Sequence, residues 1–220
     1  MGGGKLMNVK DITRLSELGV ATVYEASGRE GLIDIPLIQI IPESRVAGPA
    51  CTALCGQDDN LMVHAIIEQI QPGEVLVLSM PEPAPVALIG ELLATQVKVR
   101  GAAGILVDAS VRDVNELVAL GLPIWSHFIR VRGATKTKIG ELNTTVTVGG
   151  TQIAAGDIVV LDADGGVCVK RERVDEVLKA SEERLAKENA LRKKLLAGQL
   201  SYDLHGLRDY VERNKNDQSK

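Results

Sequence analysis

Between residues 74 and 128 three short runs of branched aliphatic residues alternate with two segments of helical length. The runs are 74–79, 104–108 and 123–128; each is too short and too uniformly apolar to be an amphipathic helix. The first intervening segment is read as a helix from Leu88 through Gly90-Glu91-Leu92-Leu93-Ala94 to Val99, closed by Arg100-Gly101. The second runs from Val114 to Leu120 and stops at Gly121. Short strands joined by helical crossovers pair in parallel, which places the chain in the α/β class.

The flanks extend that frame. A helix is expected at 11–18, closed by Gly19, and a shorter one through Val23-Tyr24-Glu25-Ala26, stopped at Gly28; residues 29–44 carry no clear period. Residues 45–55 read as a strand interrupted at Gly48-Pro49, because proline lacks the ladder donor. Asp58-Asp59-Asn60 offers N-caps for a helix reaching Ile70, with Pro72-Gly73 beyond it. From 143 to 170 the period becomes two, with strands at 145–148, 158–161 and 167–169 and a hairpin turn at Asp162-Ala163-Asp164-Gly165. After Arg171 the chain reads as a charged helix to about Ala197, a break at Gly198, and a short helix at 204–213. The expected organisation is a single α/β core over 1–170, a C-terminal helical arm over 171–213, and a frayed polar tail over 214–220.

Composition narrows the function. Aromatic residues are 2% of the 220-residue chain, so base-stacking platforms for nucleic acid are missing, and the net charge of −4 disfavours a phosphate-backbone binder. No uncharged apolar stretch reaches the roughly 20 residues that span a bilayer. Cys51, Cys55 and Cys168 lie in apolar, strand-like surroundings and read as buried, reduced thiols. The expectation is a cytoplasmic protein that binds neither nucleic acid nor membrane.

No P-loop, dinucleotide fingerprint, nucleophile elbow or zinc-protease motif is present, and His64, His127 and His205 share no ligand spacing. What remains is the strand-to-helix junction Asp108-Ala109-Ser110-Val111-Arg112-Asp113-Val114-Asn115-Glu116. Ligands of α/β sheets sit where strands end and helices begin, and helix N-termini attract anions. Arg112 carries a planar fork suited to a carboxylate, and Asp113 a hard oxygen for Mg²⁺ or Mn²⁺. The same residues admit a structural reading: Asp113 and Glu116 have capping-box spacing, and Arg112 is then a surface cation.

A wider pattern bears on that choice. Gly90-Glu91-Leu92-Leu93-Ala94-Thr95, Arg100-Gly101, Val107-Asp108 and Val111-Arg112-Asp113, with 20 residues between Glu91 and the Arg-Asp pair, resemble the 4-hydroxy-4-methyl-2-oxoglutarate and 4-carboxy-4-hydroxy-2-oxoadipate aldolases. The resemblance covers nearly the whole chain, from Gly19-Val20-Ala21-Thr22-Val23-Tyr24-Glu25-Ala26 to Asp203-Leu204-His205-Gly206-Leu207-Arg208. It implies a swivelling β/β/α-type, RraA-like core and a divalent-metal aldolase that releases pyruvate from 4-hydroxy-2-oxo acids. Oxaloacetate decarboxylation would be a side activity, and the protein would assemble as a homotrimer or homohexamer. By resemblance, Asp113 holds the metal, Arg112 binds the pyruvyl group, and Gly90 with the amides of Leu92 and Leu93 receives the substrate carboxylate. Glu91 orders water at the metal, and Glu25 and Glu188 enter the site from a neighbouring subunit. The family favours aspartate at the position of Glu91 and small residues where this chain has Gln96-Val97-Lys98-Val99.

Two rivals remain. Regulators of RNase E activity share this fold and act by binding protein, though they lack the C-terminal arm. A Schiff-base aldolase would use Lys98, Lys136 or Lys138, none of which the sequence places in an apolar pocket.

Overall fold

The computed structural model describes residues 8–217, with side chains through Asn214. The central parallel strands are β2 (Val46–Leu54), β3 (Val75–Ser79), β5 (Gly104–Val111) and β6 (Ile124–Ile129), in the order β6-β5-β3-β2. Helices α3 (Leu61–Ile66), α4 (Glu91–Val99) and α5 (Val114–Leu120) lie in the crossovers. Short β1 (Ile38–Gln39) flanks β6, and the β10 (Ile158–Asp162)–β11 (Gly165–Val169) hairpin adds antiparallel strands beside β2. The turn at Ala163-Asp164 is the hairpin expected there.

Side-chain alternation explains why the sheet is buried on both faces. Leu76, Leu78, Ile105 and Val107 join one core with Ile66, Val97 and Leu117 from the three crossover helices. Val75, Val77 and Leu106 point the other way, into a second core with Trp125, Val146 and Val159. Buried on both faces, these strands read as continuous apolar runs rather than alternating ones. Cys51, Cys55 and Cys168 are free and buried, and burial pushes each thiol up to about 12.

Long-range pairing overrode the local reading in several places. Residues 46–54 form one unbroken strand through Gly48-Pro49: Pro49 ladders only with Ile158 of β10, and pairing to β3 starts one residue later, at Ala50. The helix expected to reach Ile70 ends at Ile66. Ala87–Ile89 is not the start of a helix but a strand, β4, parallel to β5, so α4 begins only at Glu91. Three strands of two or three residues went unseen: β1, β7 (Glu141–Leu142) and β9 (Thr151–Ile153), the last paired with β8 (Val146–Val148).

Helices α1 (Val9–Leu18) and α2 (Val20–Ala26) precede the sheet, and α6 (Val174–Leu196) follows it after a 3-10 turn at Arg171–Arg173. The chain divides into two compact units within α6, one ending at Ser181 and the other beginning at Glu182. The second unit continues through α7 (Ser201–Leu204) and α8 (Leu207–Asp217), with Arg208 paired to Asp203 and stacked 4.7 Å over the Tyr202 ring. Of the polar tail expected at 214–220, residues 218–220 lie outside the described residues, and 214–217 continue α8. Among the described residues no helix is long and apolar enough to cross a membrane.

Candidate active site

The site grows out of two strand ends. β4 and β5 run side by side and parallel, with Ile89 opposite Val111, so Gly90-Glu91 and Arg112-Asp113 emerge together at their carboxyl ends. The Arg112 N–H donates to the Ile89 carbonyl at 3.1 Å, locking the two exits in register.

Asp113 then turns left-handed, with φ 61° and ψ 44°, a region non-glycine residues enter at a cost. It occupies the N-cap position of α5 but makes no side-chain bond to that helix. Instead its Oδ2 accepts the backbone N–H of Glu91 at 3.1 Å, the first amide of α4. The capping box of Asp113 with Glu116 does not form, because the left-handed turn delivers the carboxylate to the neighbouring crossover. The amides of Leu92 and Leu93, next in the first turn of α4, have no intrahelical acceptor.

An added Cβ would be crowded at two points, severely at Gly90 and only against a flexible side-chain tip at Gly133. A Cβ on Gly90 would lie 2.4 Å from Asp113 Oδ2 and 3.2 Å from Arg112 Nε. One on Gly133 would lie 2.9 Å from Arg112 Nη1. The Arg112 side chain thus passes between two bare backbones, with its Nε 3.8 Å from Asp113 Oδ2.

Of the residues singled out from sequence, Gly90, Leu92, Leu93, Arg112 and Asp113 line one cavity of about 300 Å³. Arg112 and Asp113 also border an adjoining, more open cavity of about 560 Å³, together with Ile129, Arg130 and Val131. Glu91 contributes its backbone, but its carboxylate accepts from Thr95 Oγ1 at 2.9 Å and does not line either cavity. Glu25 of α2 pairs with Arg29, just beyond that helix, at 3.2 Å, and Glu188 with Arg184 at 2.9 Å in the C-terminal unit.

Four more polar residues line the smaller cavity: Asn60, His64, Gln96 and Lys136, which the sequence reads as an N-cap candidate, a histidine without ligand spacing, a departure from the family's small residues and a Schiff-base candidate, and does not assign to the aldolase site. None belongs to a local motif; the crossover topology brings them in. Asn60 Oδ1 is buried without a hydrogen-bond partner among the described residues. Lys136 is the one candidate Schiff-base lysine on the cavity wall, whereas Lys98 and Lys138 donate to the carbonyls of Leu120 and Gln57.

Among the described residues, no three His, Cys, Asp or Glu side chains converge on one point. Asp113 is the single carboxylate among the described residues that line the cavity. That donor set does not suit zinc, which takes three or four protein ligands. It does suit a hydrated hard cation such as Mg²⁺, which is held by one or two carboxylates and completes its shell with water and substrate oxygens.

Comparison with known proteins places this geometry in a family. The family model described as "RraA-like: Aldolase/RraA" matches residues 16–168, which takes in the sheet up to the last residue of β11 and every residue of the cavity. The chain belongs to the RraA-like family. It is 30% identical over 169 residues to the "Putative 4-hydroxy-4-methyl-2-oxoglutarate aldolase" of Halalkalibacterium halodurans, covering 77% of this chain and 78% of that one. Streptomyces coelicolor RraAS2, described as an unusual member of the RNase ES inhibitor RraA protein family, superposes with a TM-score of 0.74 at 27% identity. The match covers 86% of this chain and 98% of that one. The RNA-processing inhibitor RraA from Thermus thermophilis has the same fold, with a TM-score of 0.57 at 24% identity over 63% of this chain and 82% of that one. The RraA-like core with a C-terminal helical extension is therefore the fold that the sequence resemblance implied.

Proposed function

We propose that this RraA-like protein is a divalent-metal-dependent aldolase. It cleaves 4-hydroxy-2-oxo acids of the 4-hydroxy-4-methyl-2-oxoglutarate and 4-carboxy-4-hydroxy-2-oxoadipate type into pyruvate and a second oxo acid. The observation that carries this reading is that Arg112, Asp113 and the first turn of α4 at Leu92 and Leu93, whose amides have no intrahelical acceptor, line a single small cavity.

The amides of Leu92 and Leu93 receive the substrate's 1-carboxylate, with the α4 dipole in support. Arg112, held between Gly90 and Gly133, places its fork on the 2-oxo oxygen. The 4-hydroxyl proton passes to an ordered water as the C3–C4 bond breaks, whose electron pair forms C2=C3 while the carbonyl pair moves onto that oxygen as an enolate; a proton returned to C3 then gives pyruvate. Arg112 neutralises the charge as it develops, the condition under which a fixed cation accelerates a reaction. A Mg²⁺ or Mn²⁺ ion bound through Asp113 would supply Lewis-acid polarisation of the same carbonyl. Glu91, Glu25 and Glu188 are assigned to ordering water and moving protons, the last two from a neighbouring subunit of a homotrimer or homohexamer. Glu91, held by Thr95 through one carboxylate oxygen, would serve in this way by turning its carboxylate toward the cavity. Oxaloacetate decarboxylation passes through the same pyruvate enolate, so the same groups support it.

A panel of 4-hydroxy-2-oxo acids and oxaloacetate, assayed for pyruvate release with EDTA or with excess Mg²⁺, tests the reading. Release that stops in EDTA and returns with Mg²⁺ or Mn²⁺ supports it. Release that persists in EDTA, with borohydride trapping pyruvate on Lys136, favours the Schiff-base mechanism. The likeness to RraAS2 gives the other reading, a regulator that binds an RNase of the E type, and absence of release from every substrate favours it.

A further inference from the structure

We propose that Asp59 is a positioning residue, a single carboxylate that fixes the Asn60–His64 wall of the cavity against the loop carrying Lys136. This rests on reading that cavity as a substrate site.

Asp59 is fully buried, and its two oxygens serve different elements. Oδ1 accepts the N–H of Leu61 at 2.8 Å, at the start of α3. Oδ2 accepts from Thr135 Oγ1 at 2.6 Å, from the Thr137 N–H at 2.6 Å and from the Lys138 N–H at 3.1 Å, with Thr137 Oγ1 at 3.4 Å. Lys136 lies between these held residues and lines the cavity, whereas Asp59 itself does not. The flanking backbone repeats the connection: the Asn60 N–H donates to the Thr135 carbonyl and the Thr135 N–H to the Asp58 carbonyl, each at 2.9 Å. On the other side, Asn60 Nδ2 donates to the Leu88 carbonyl of β4 at 3.1 Å, tying α3 to the strand that leads into Gly90. One continuous path therefore runs from β4 through Asn60 and Asp59 to Thr135, Thr137 and Lys138, the residues that flank Lys136.

A carboxylate is the group this position needs. Every partner is a neutral donor, and an ionised acceptor binds such donors about twice as strongly as a neutral one. An asparagine has one acceptor oxygen, so its NH₂ would face either the Leu61 N–H or the amides of Thr137 and Lys138. One of the two elements would be released.

The test uses the full chain as Asp59→Asn and Thr135→Val, each alone and combined with Lys136→Ala. Pyruvate affinity is measured calorimetrically with Mg²⁺, and amide exchange at Thr137, Lys138 and core Leu106 by NMR. The expected result is about tenfold weaker pyruvate binding for Asp59→Asn and a smaller loss for Thr135→Val. Both losses should fall below about twofold once Lys136 is alanine, because coupled residues are non-additive. Exchange at Thr137 and Lys138 should quicken at least about tenfold while Leu106 is unchanged. If Asp59→Asn does not fold, Thr135→Val carries the same comparison. Equal affinity losses with and without Lys136, or unchanged exchange at Thr137 and Lys138, would overturn the proposal. If the wild-type chain binds no pyruvate, the aldolase reading falls, and the exchange measurement alone decides whether Asp59 holds the loop.

Discussion

Asp113 Oδ2 accepts the backbone N–H of Glu91 at 3.1 Å, so the residue that opens one crossover helix caps the N-terminus of another. This cross-cap couples the two strand exits of the site, and it separates the structural from the chemical role of the carboxylate.

Asp113→Asn isolates the chemical role. Asparagine tolerates the left-handed backbone and its amide oxygen still accepts from Glu91, so stability should change by less than about 0.5 kcal/mol. Removing the charge should lower turnover by about two orders of magnitude or more if Asp113 anchors a cation. Steady-state pyruvate release at saturating Mg²⁺, paired with a melting curve, checks both. Near-normal turnover would take Asp113 out of the chemistry.

Gly90→Ala and Gly133→Ala should differ in severity. The added methyl at 90 meets the carboxylate of Asp113 at 2.4 Å, against a backbone that is itself strained, and cannot be accommodated without moving the Arg-Asp pair. At 133 it meets only the tip of the Arg112 side chain, 2.9 Å away, which can swing aside. The first substitution should reduce turnover at least about tenfold more than the second. Comparable losses would argue against a fixed Arg112–Asp113 geometry.

Glu188 tests the shared-site model. An Arg112→Ala chain mixed equally with a Glu188→Ala chain should recover activity if each site takes Arg112 from one subunit and Glu188 from its neighbour. Random assembly would restore up to about a quarter of the sites. No recovery in mixed oligomers confirmed by mass would place Glu188 outside the site.

The Asp59 carboxyl makes stability depend on acid pH in a defined direction. Burial works against its charge, but hydrogen bonds from Thr135 and from the amides of Thr137, Leu61 and Lys138 outweigh it and hold the carboxyl well below the usual range. A folded-state value below the unfolded one means that this stabilisation is present above about pH 4 and drains away as pH falls further. The stability difference between wild type and Asp59→Asn, read from urea midpoints, should be flat from pH 7 to about 5 and shrink below about 4. A difference that grows on acidification would contradict the hydrogen-bond account.

The sequence carried what local chemistry decides. Gly121 ends α5 where the periodic pattern stops, and Arg112-Asp113 lies at the end of a strand that could be recognised from its own residues. It misled where partners far along the chain decide. Leu88, Ile89, Leu92 and Leu93 fall on one helical face, which disguised β4; the pairing of Ile89 with Val111 is what makes it a strand. His64 stands alone among apolar residues, and Asn60 and Lys136 sit in polar runs at 57–60 and 135–138, so no spacing marked any of them as lining the site. Asp59 was half legible: the N-cap reading describes Oδ1 and leaves out the loop that Oδ2 holds.

The three buried thiols have a practical consequence for following this site in solution. Each is buried and pushed up to about 12, so little thiolate is present at pH 8, and thiolate is the form that reacts with alkylating probes. A cysteine placed at Val131, 89% exposed beside the cavity that shares Arg112, would have an ordinary thiol and be substantially ionised at that pH. A fluorophore or spin label can therefore be attached at the mouth of the site with every native cysteine left in place.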